Sequence, residues 1–523
     1  MKVVAPLRGA LKKRPHRSRS NASASGASSA FWTSVTIDRS SGEPLQRQLY
    51  DQLREAILVG ALRSGTRLAS SRALASEVGC SRNTVLAVVA QLTAEGYLAS
   101  ERGSGVFVAD DFPDELLSVP APPSDWPLVE RCRHPPELSR RGKTLAATLV
   151  EHPAPWHAPF ATLTPDVSLF PLTTWNQLAN REWRDHGSFF LKQADARGFE
   201  PLRIAIADYL RATRNVVCGA YQVIITAGSQ HGTDLLARLL LDHDDCVWVE
   251  DPGYLAIRAL FRAAGARVVS IAVDEGGMVL PQPGSRIAPP RLIYVSPSHH
   301  YPTGVTMTLR RRLEFLNYAE HVGAWILEDD YDSEFRYEGR RLAALQSLNS
   351  AASARVIYMG TFTKALFPAI RLGYLVVPSD LAHTFARGRS VIDIPPSIVA
   401  QPALARFIAE GHLAAHIRRM RRIYRGRHEA LVAALARHAT ALLHIEPDQA
   451  GMHLLARFTP ELAARYDDVT AAQRLCERGL NAQPLSMFYA KPSRDNGFLL
   501  GYACADEAAL ERAVVTMVSV LCE

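Results

Sequence analysis

The 523-residue chain has no apolar run approaching the roughly 20 residues needed to cross a bilayer, so no membrane-spanning helix is expected. Its seven cysteines, at positions 80, 132, 218, 246, 476, 504 and 522, have neither metal-ligand nor redox spacing. An odd, scattered set in a long chain argues against a disulfide framework, and no metal site is expected; a reduced cytosol fits best. Acids are absent from the first 30 residues, where Lys2, Arg8, Lys12, Lys13, Arg14, Arg17 and Arg19 carry the whole net charge of +7. The rest of the chain therefore balances. Residues 1–35 are rich in serine and alanine as well as basic, and are expected to be a disordered tail. The tail lacks the apolar stretch, roughly 7–15 residues long, of a secretory signal. It fits either loose contact with a phosphate backbone or a solvated extension from an early start codon.

Beyond the tail the chain is patterned. Pro44 to Val59 has helical periodicity, with Leu45, Leu49, Leu53, Ile57 and Leu58 on one face. Ser70-Ser71-Arg72 caps a second short helix ending at Gly79, and Ser81 caps a third that ends near Gly96. Tyr97-Leu98 and Val106–Val108 read as strands around Arg102-Gly103-Ser104-Gly105. Three helices and a glycine-tipped hairpin over 36–108 predict a winged helix-turn-helix. Residues 109–155 are a proline-rich linker, expected to be extended. From 156 to 523, apolar runs alternate with helical stretches, at Val223–Thr226, Cys246–Val249, Val268–Ala272, Leu292–Val295, Trp325–Leu327, Val356–Met359 and Leu372–Val377. That alternation predicts an α/β unit with a mostly parallel sheet, followed from about 405 by a smaller α+β lobe.

In a helix-turn-helix the start of the second motif helix enters the major groove. Here that start is Ser81-Arg82-Asn83-Thr84. Arginine pairs with guanine, asparagine with adenine, and the hydroxyls with phosphate or base. Arg72 offers a phosphate contact at the preceding helix start. Arg102, Gly103 and Ser104 tip the wing, where glycine lets the backbone approach DNA. The expected partner is a double-stranded operator.

The larger unit has chemistry-bearing residues after successive strands, where open α/β sheets bind ligands. Ser229 and Gln230 open a helix after a strand, with amides and a hydroxyl for a phosphate. Tyr254 comes after Glu250-Asp251-Pro252-Gly253 and can stack on a flat ring. Asp329 and Tyr331 end another strand; a carboxylate under a ring nitrogen keeps it protonated. Thr361, Thr363, Lys364 and Arg371 come after the next. A lysine in a Thr-Phe-Thr-Lys loop with hydroxyl and cationic neighbours suits a Schiff base with pyridoxal 5'-phosphate.

These motifs carry two resemblances. The first unit, through Pro44–Tyr50, Ser71-Arg72, Ser81–Val85, Glu95–Leu98 and Gly103–Val108, resembles the GntR family of bacterial regulators. Ala69 departs from it, where the family usually has proline. The second unit resembles fold type I aminotransferases, and the two units together, without the tail and linker, resemble the MocR subfamily of GntR regulators. That match runs through Ser168–Pro171, Gly198–Arg203, Glu250–Tyr254, Ser296–Gly304, Glu328–Tyr337 and Gly411–Arg422. It implies Lys364 as the Schiff-base lysine, Asp329 as ring-nitrogen partner, Tyr331 as phenolic-oxygen partner and Tyr254 as stacking residue. Ser229, Gln230, Thr361, Thr363 and Arg371 would surround the phosphate, and His299 joins the cofactor-binding set. It also implies a homodimer, each DNA-binding unit crossing to its partner's large domain.

The chain departs from relatives at Tyr301, His300 and Thr363. Ala256 and Asn481 offer no cation at the two places where a substrate-carboxylate arginine is sought. The expected function is a cytoplasmic transcriptional regulator whose aminotransferase-like domain senses pyridoxal phosphate or an amine or amino acid, without efficient turnover. A working aminotransferase with a fused DNA-binding module is the alternative, and a regulator with a vestigial cofactor site is the third reading.

Overall fold

The structure is a computed structural model and describes residues 35–101, 103–110, 137–148, 155–192, 195–282, 284–337, 343–348, 355–393, 397–445, 450–493 and 495–523. The basic tail, most of the proline-rich linker and Arg102 lie outside these. The chain divides into two compact units, Met1–Pro135 and Pro136–Glu523.

The first unit has the predicted order of elements. Helix α1 spans Leu45–Leu58, α2 Ser71–Val78 and α3 Arg82–Ala94. The Ser70 side chain accepts from Ala73 N at the start of α2, and Ser81 accepts from Thr84 N at the start of α3. Each serine satisfies an amide that has no partner within its helix. Strands β1 (Leu98–Glu101) and β2 (Gly105–Val108) form an antiparallel hairpin. Leu49, Leu53 and Ile57 of α1 meet Leu74 of α2 and Val88 and Leu92 of α3 in one buried cluster.

The second unit is built on an eight-stranded sheet. Its strands are β3 (Val223–Thr226), β4 (Cys246–Asp251), β5 (Arg267–Asp274), β6 (Gly277–Met278), β7 (Leu292–Val295), β8 (Trp325–Asp330), β9 (Val356–Thr361) and β10 (Gly373–Val376). The order is β3-β10-β9-β8-β7-β4-β5-β6. Strands β9, β8, β7, β4 and β5 run parallel; β10 is antiparallel to both its neighbours, and β6 to β5. Helix α4 (Ser229–Leu240) comes after β3, and α5 (Leu255–Ala264) after β4. All seven apolar runs predicted as strands are strands. Residues 140–146, read as linker, instead form a short helix capped by Ser139, and Arg141 of that helix lies against Gly265 at the end of α5.

The smaller lobe carries a four-stranded antiparallel sheet, β11 (Leu443–Ile445), β12 (His453–Phe458), β13 (Gln483–Pro484) and β14 (Gly497–Gly501), in the order β11-β12-β14-β13. A long helix, α6 (His412–His438), is fastened to several segments by guanidinium groups. Arg421 donates to Glu334 O, Arg425 to Tyr337 O, and Arg427 to Ala503 O and, at 2.8 Å, to Asp166 Oδ2. Among the described residues no helix is long and apolar enough to cross a membrane, and no cluster could hold a metal ion.

Arg427 and Asp166 are both mostly buried, at 7% and 13% side-chain exposure. Removing one partner leaves the other charge buried and uncompensated. Arg427→Leu is expected to destabilise the second unit by about 3–5 kcal/mol, read as a lowered denaturation midpoint. An unchanged midpoint would show that this pair does not hold the lobe.

Candidate functional site

The site lies along the edge where parallel strands end. Strand β3 ends at Thr226, and Gly228 turns the chain into α4 with a φ of +108°, a conformation that L side chains rarely adopt. A Cβ at Gly228 would stand 3.5 Å from the Arg371 guanidinium, so the two segments touch. The reversal of β10 explains how Arg371 arrives there. Gly373 pairs with Thr361 at the end of β9 and with Thr226 at the end of β3, so residues just before β10 sit beside both strand ends. Arg371 itself is held in the left-handed region, at φ +46°.

A cavity of about 110 Å³ opens at this edge. Ser229, Gln230, Tyr254, Asp329, Tyr331, Thr361, Thr363, Lys364 and Arg371 all line it, as does Gly228. Thus the structure brings together nine of the ten cofactor residues read from the sequence. His299 is the exception. It is buried behind Tyr331, its Nδ1 3.0 Å from the Tyr331 hydroxyl oxygen and 3.0 Å from Asp332 Oδ2. The remaining lining residues are Leu163, Tyr294 and Tyr301.

Tyr294 and Leu163 were not legible in the sequence as site residues. The Tyr294 hydroxyl donates to Asp329 Oδ2 at 2.5 Å, and the Lys364 ammonium donates to the Leu163 carbonyl at 2.9 Å. Tyr301, which the sequence marks only as a departure, donates its hydroxyl to Gln483 Oε1 at 2.7 Å. The Thr361 hydroxyl donates to Thr363 Oγ1 at 3.0 Å and accepts from Thr363 N, which ties the loop before Lys364.

Burial sets the electrostatics. Asp329 is pushed up to about 7, first by desolvation and then by repulsion from Asp330 and Asp332; the Tyr294 hydrogen bond and the Lys364 charge oppose this. Lys364 is pulled down to about 8 by desolvation, helped by Arg371 and resisted by Asp332 and Asp329. Glu250, at the end of β4, is raised to about 8 by burial against two hydrogen bonds from Ser296. The Asp329 Oδ1 atom is buried and has no hydrogen-bond partner among the described residues. A protonated ring nitrogen in the cavity would supply one.

In the first unit, Ser81, Arg82, Asn83, Arg72, Gly103 and Ser104 are exposed, and Thr84 is half-buried. The Ser81 hydroxyl is occupied as the cap of α3, and the Arg82 Nε donates to Ser71 Oγ at 3.2 Å. Arg102 falls outside the described residues. Arg67, which the sequence did not single out, lays its guanidinium against Gly105 of the hairpin.

The family model for bacterial regulatory proteins of the gntR family matches residues 45–108, and that for class I and II aminotransferases matches 166–516. The chain is 40% identical over 480 residues to the probable rhizopine catabolism regulatory protein MocR of Rhizobium meliloti, covering 92% of this chain and 94% of that protein. It is 32% identical to the pyridoxine biosynthesis transcriptional regulator PdxR of Corynebacterium glutamicum, over 88% of this chain and 93% of that one. Among solved structures, LysN, the α-aminoadipate aminotransferase of Thermus thermophilus complexed with N-(5'-phosphopyridoxyl)-L-leucine, superposes with a TM-score of 0.64. It is 26% identical and covers 73% of this chain and 96% of that one.

An amine with its pKa near 8 is neutral, and nucleophilic, above that pH. The rate at which cofactor-free protein combines with pyridoxal phosphate is therefore expected to rise with pH through a midpoint near 8. The change in visible absorbance reports it, and Lys364→Ala should abolish the change. A midpoint near that of free lysine, about 10.4, would contradict the burial described.

Proposed function

The chain belongs to the GntR family of bacterial transcription regulators, in the MocR-type branch that carries a class I and II aminotransferase domain, and on that premise we propose that it is a DNA-binding regulator whose second unit holds pyridoxal phosphate on Lys364 and senses that cofactor or an amine. The observation that carries this reading is the buried, unpartnered Asp329 Oδ1 in a cavity that also presents Lys364. Ser229, Thr361, Thr363 and Arg371 offer hydroxyls and a cation for a phosphate, with Gln230 beside them. Tyr254 offers a ring face, and Tyr331 a hydroxyl for the cofactor's phenolic oxygen. Bound pyridoxal phosphate supplies an aldehyde for amines and a protonated ring that accepts electrons. Asp329, steadied by Tyr294, would hold the proton on the ring nitrogen. Lys364 would carry the cofactor and take up or return a proton at its amine.

The regulator reading includes a homodimer in a bacterial cytoplasm, with the start of α3 in the major groove of an operator. Arg82→Ala is expected to weaken specific binding by about 1–3 kcal/mol, the range for one lost base contact, with cofactor uptake unchanged. Fluorescence anisotropy with an operator fragment measures this, and wild-type affinity in the variant would sink the assignment.

The intact set of Lys364, Asp329 and Tyr331 favours a second reading, a working aminotransferase. Against it stands the composition of the wall. Among the described residues lining the cavity, the cations are Lys364 and Arg371. Transamination needs its substrate fixed in one orientation, which a carboxylate clamp supplies. Ala256 has no charge, and Asn481 is buried. We expect negligible turnover with common amino acids and 2-oxoglutarate, while pyridoxal phosphate changes operator affinity. Turnover in the enzyme range of roughly 1–1000 per second would favour the second reading instead. Operator binding indifferent to the cofactor and to every amine tried would favour a vestigial site.

A further inference from the structure

His299, Asp332 and Tyr331 form a buried cluster behind the cavity, with 2%, 2% and 9% exposure. The His299 Nδ1 atom is 3.0 Å and 3.2 Å from the two oxygens of Asp332 and 3.0 Å from the Tyr331 hydroxyl oxygen. An ionised carboxylate only accepts hydrogen bonds. An unprotonated Nδ1 would set its lone pair against that carboxylate at 3.0 Å, too close for a water to stand between them. Nδ1 therefore carries a hydrogen and donates it to Asp332, and the Tyr331 oxygen, equally close, accepts from the same N–H. The phenol's own proton is not spent on His299.

The ring is also held sterically. Gly451 backs onto it with φ +85°, and a Cβ there would stand 2.1 Å from His299 Cε1. The His453 ring lies 5.4 Å from that of His299. Titratable groups facing His299 among the described residues include Asp332 and Tyr331 beyond β8, His300 next in the chain, and His453 on β12. On the cavity side of Tyr331 are Lys364 and Asp329.

We propose that His299 and Asp332 are positioning residues for Tyr331: they hold its oxygen and aim its phenol proton into the cavity, at the phenolic oxygen of pyridoxal phosphate. This rests on the cofactor reading above. A phenol that donates there stabilises the anionic form of the bound cofactor's oxygen. The pH midpoint of the loaded protein's visible absorbance is then lower than it would be without the donor.

The test loads full-length protein with pyridoxal phosphate and titrates that absorbance in a double-mutant cycle. His299→Leu is expected to raise the midpoint by about one pH unit, the scale of one hydrogen bond to a charged group. Tyr331→Phe should raise it at least as far, and His299→Leu added to Tyr331→Phe should add nothing. His299→Asn, whose amide can replace the Nδ1–H, should return toward wild type. Gly451→Ala, which displaces the ring, should behave like His299→Leu. Asp332→Asn is nearly isosteric and decides the matter if His299→Leu does not fold. It also removes a charge near Lys364, but that part appears in both backgrounds, so only the difference between them is read. Equal shifts with and without Tyr331, or no shift in fully loaded variants, would overturn the proposal. Wild-type protein that takes up no pyridoxal phosphate would overturn the cofactor reading, and this one with it.

Discussion

Everything in the second unit turns on how four carboxylates within five consecutive residues can be buried together at one strand end. Side chains alternate across a strand, so successive acids leave β8 on opposite faces. Glu328 accepts from the amides of Leu345 and Gln346, at 2.8 Å each. Asp330, two residues on, meets Arg214 at 2.7 Å and the Tyr358 hydroxyl. Asp329 points the other way, into the cavity, and Asp332 reaches His299. Asp329 and Asp330 each keep one oxygen without a hydrogen bond among the described residues. Asp330 has the Arg214 guanidinium to balance its charge, whereas the open oxygen of Asp329 belongs to a residue in the cavity wall. A buried carboxylate oxygen without a hydrogen bond is costly unless something completes it. On the proposed reading, the stability given up at this strand end prepares the site for a cationic ring.

The sheet topology converts that local arrangement into a cavity. In a wholly parallel sheet the segment before β10 would begin at the opposite edge. Because β10 runs backwards between β3 and β9, the loop carrying Thr361, Thr363 and Lys364 and the turn carrying Arg371 both lie beside the start of α4. Hydroxyls, a guanidinium and helix amides then converge on one spot, which is the chemistry an anion needs. Arg371 and Leu163 both sit at positive φ, as backbone constrained by its surroundings does at functional sites.

Much of this was legible in the sequence, for a physical reason. Apolar runs bounded by turn signals marked the strands, and residues just after strand ends fall on one edge of an α/β sheet. That rule alone gathered Ser229, Tyr254, Asp329, Tyr331 and Lys364. It could not find Leu163, whose contribution is a backbone carbonyl and carries no side-chain signature. Nor could it find Tyr294, which reads as one more apolar residue in the strand interior until its hydroxyl is seen to reach Asp329. His299 was drawn into the cofactor set by its motif, but spacing cannot tell a residue in the wall from one behind it. Strands β11 and β13, three and two residues long, are too short to show a period.

A regulator must also make its ligand matter to its conformation, which requires different affinities for two states of the protein. The proposed sensing has a structural route, because the cavity wall is drawn from both lobes. Asp329, Tyr331 and Lys364 belong to the large sheet. Leu163 lies just beyond Phe160, which bridges to Gly501 of the small sheet, and Tyr301 is bonded to Gln483 on β13. Lys364 reaches the Leu163 carbonyl directly, so a change at its amine alters a contact between strand-end loop and lobe. Couplings of this kind are typically worth about 1–3 kcal/mol, which is one such hydrogen bond's worth. A site confined to the large sheet could bind the same cofactor equally well in either arrangement of the lobes, and would then shift nothing.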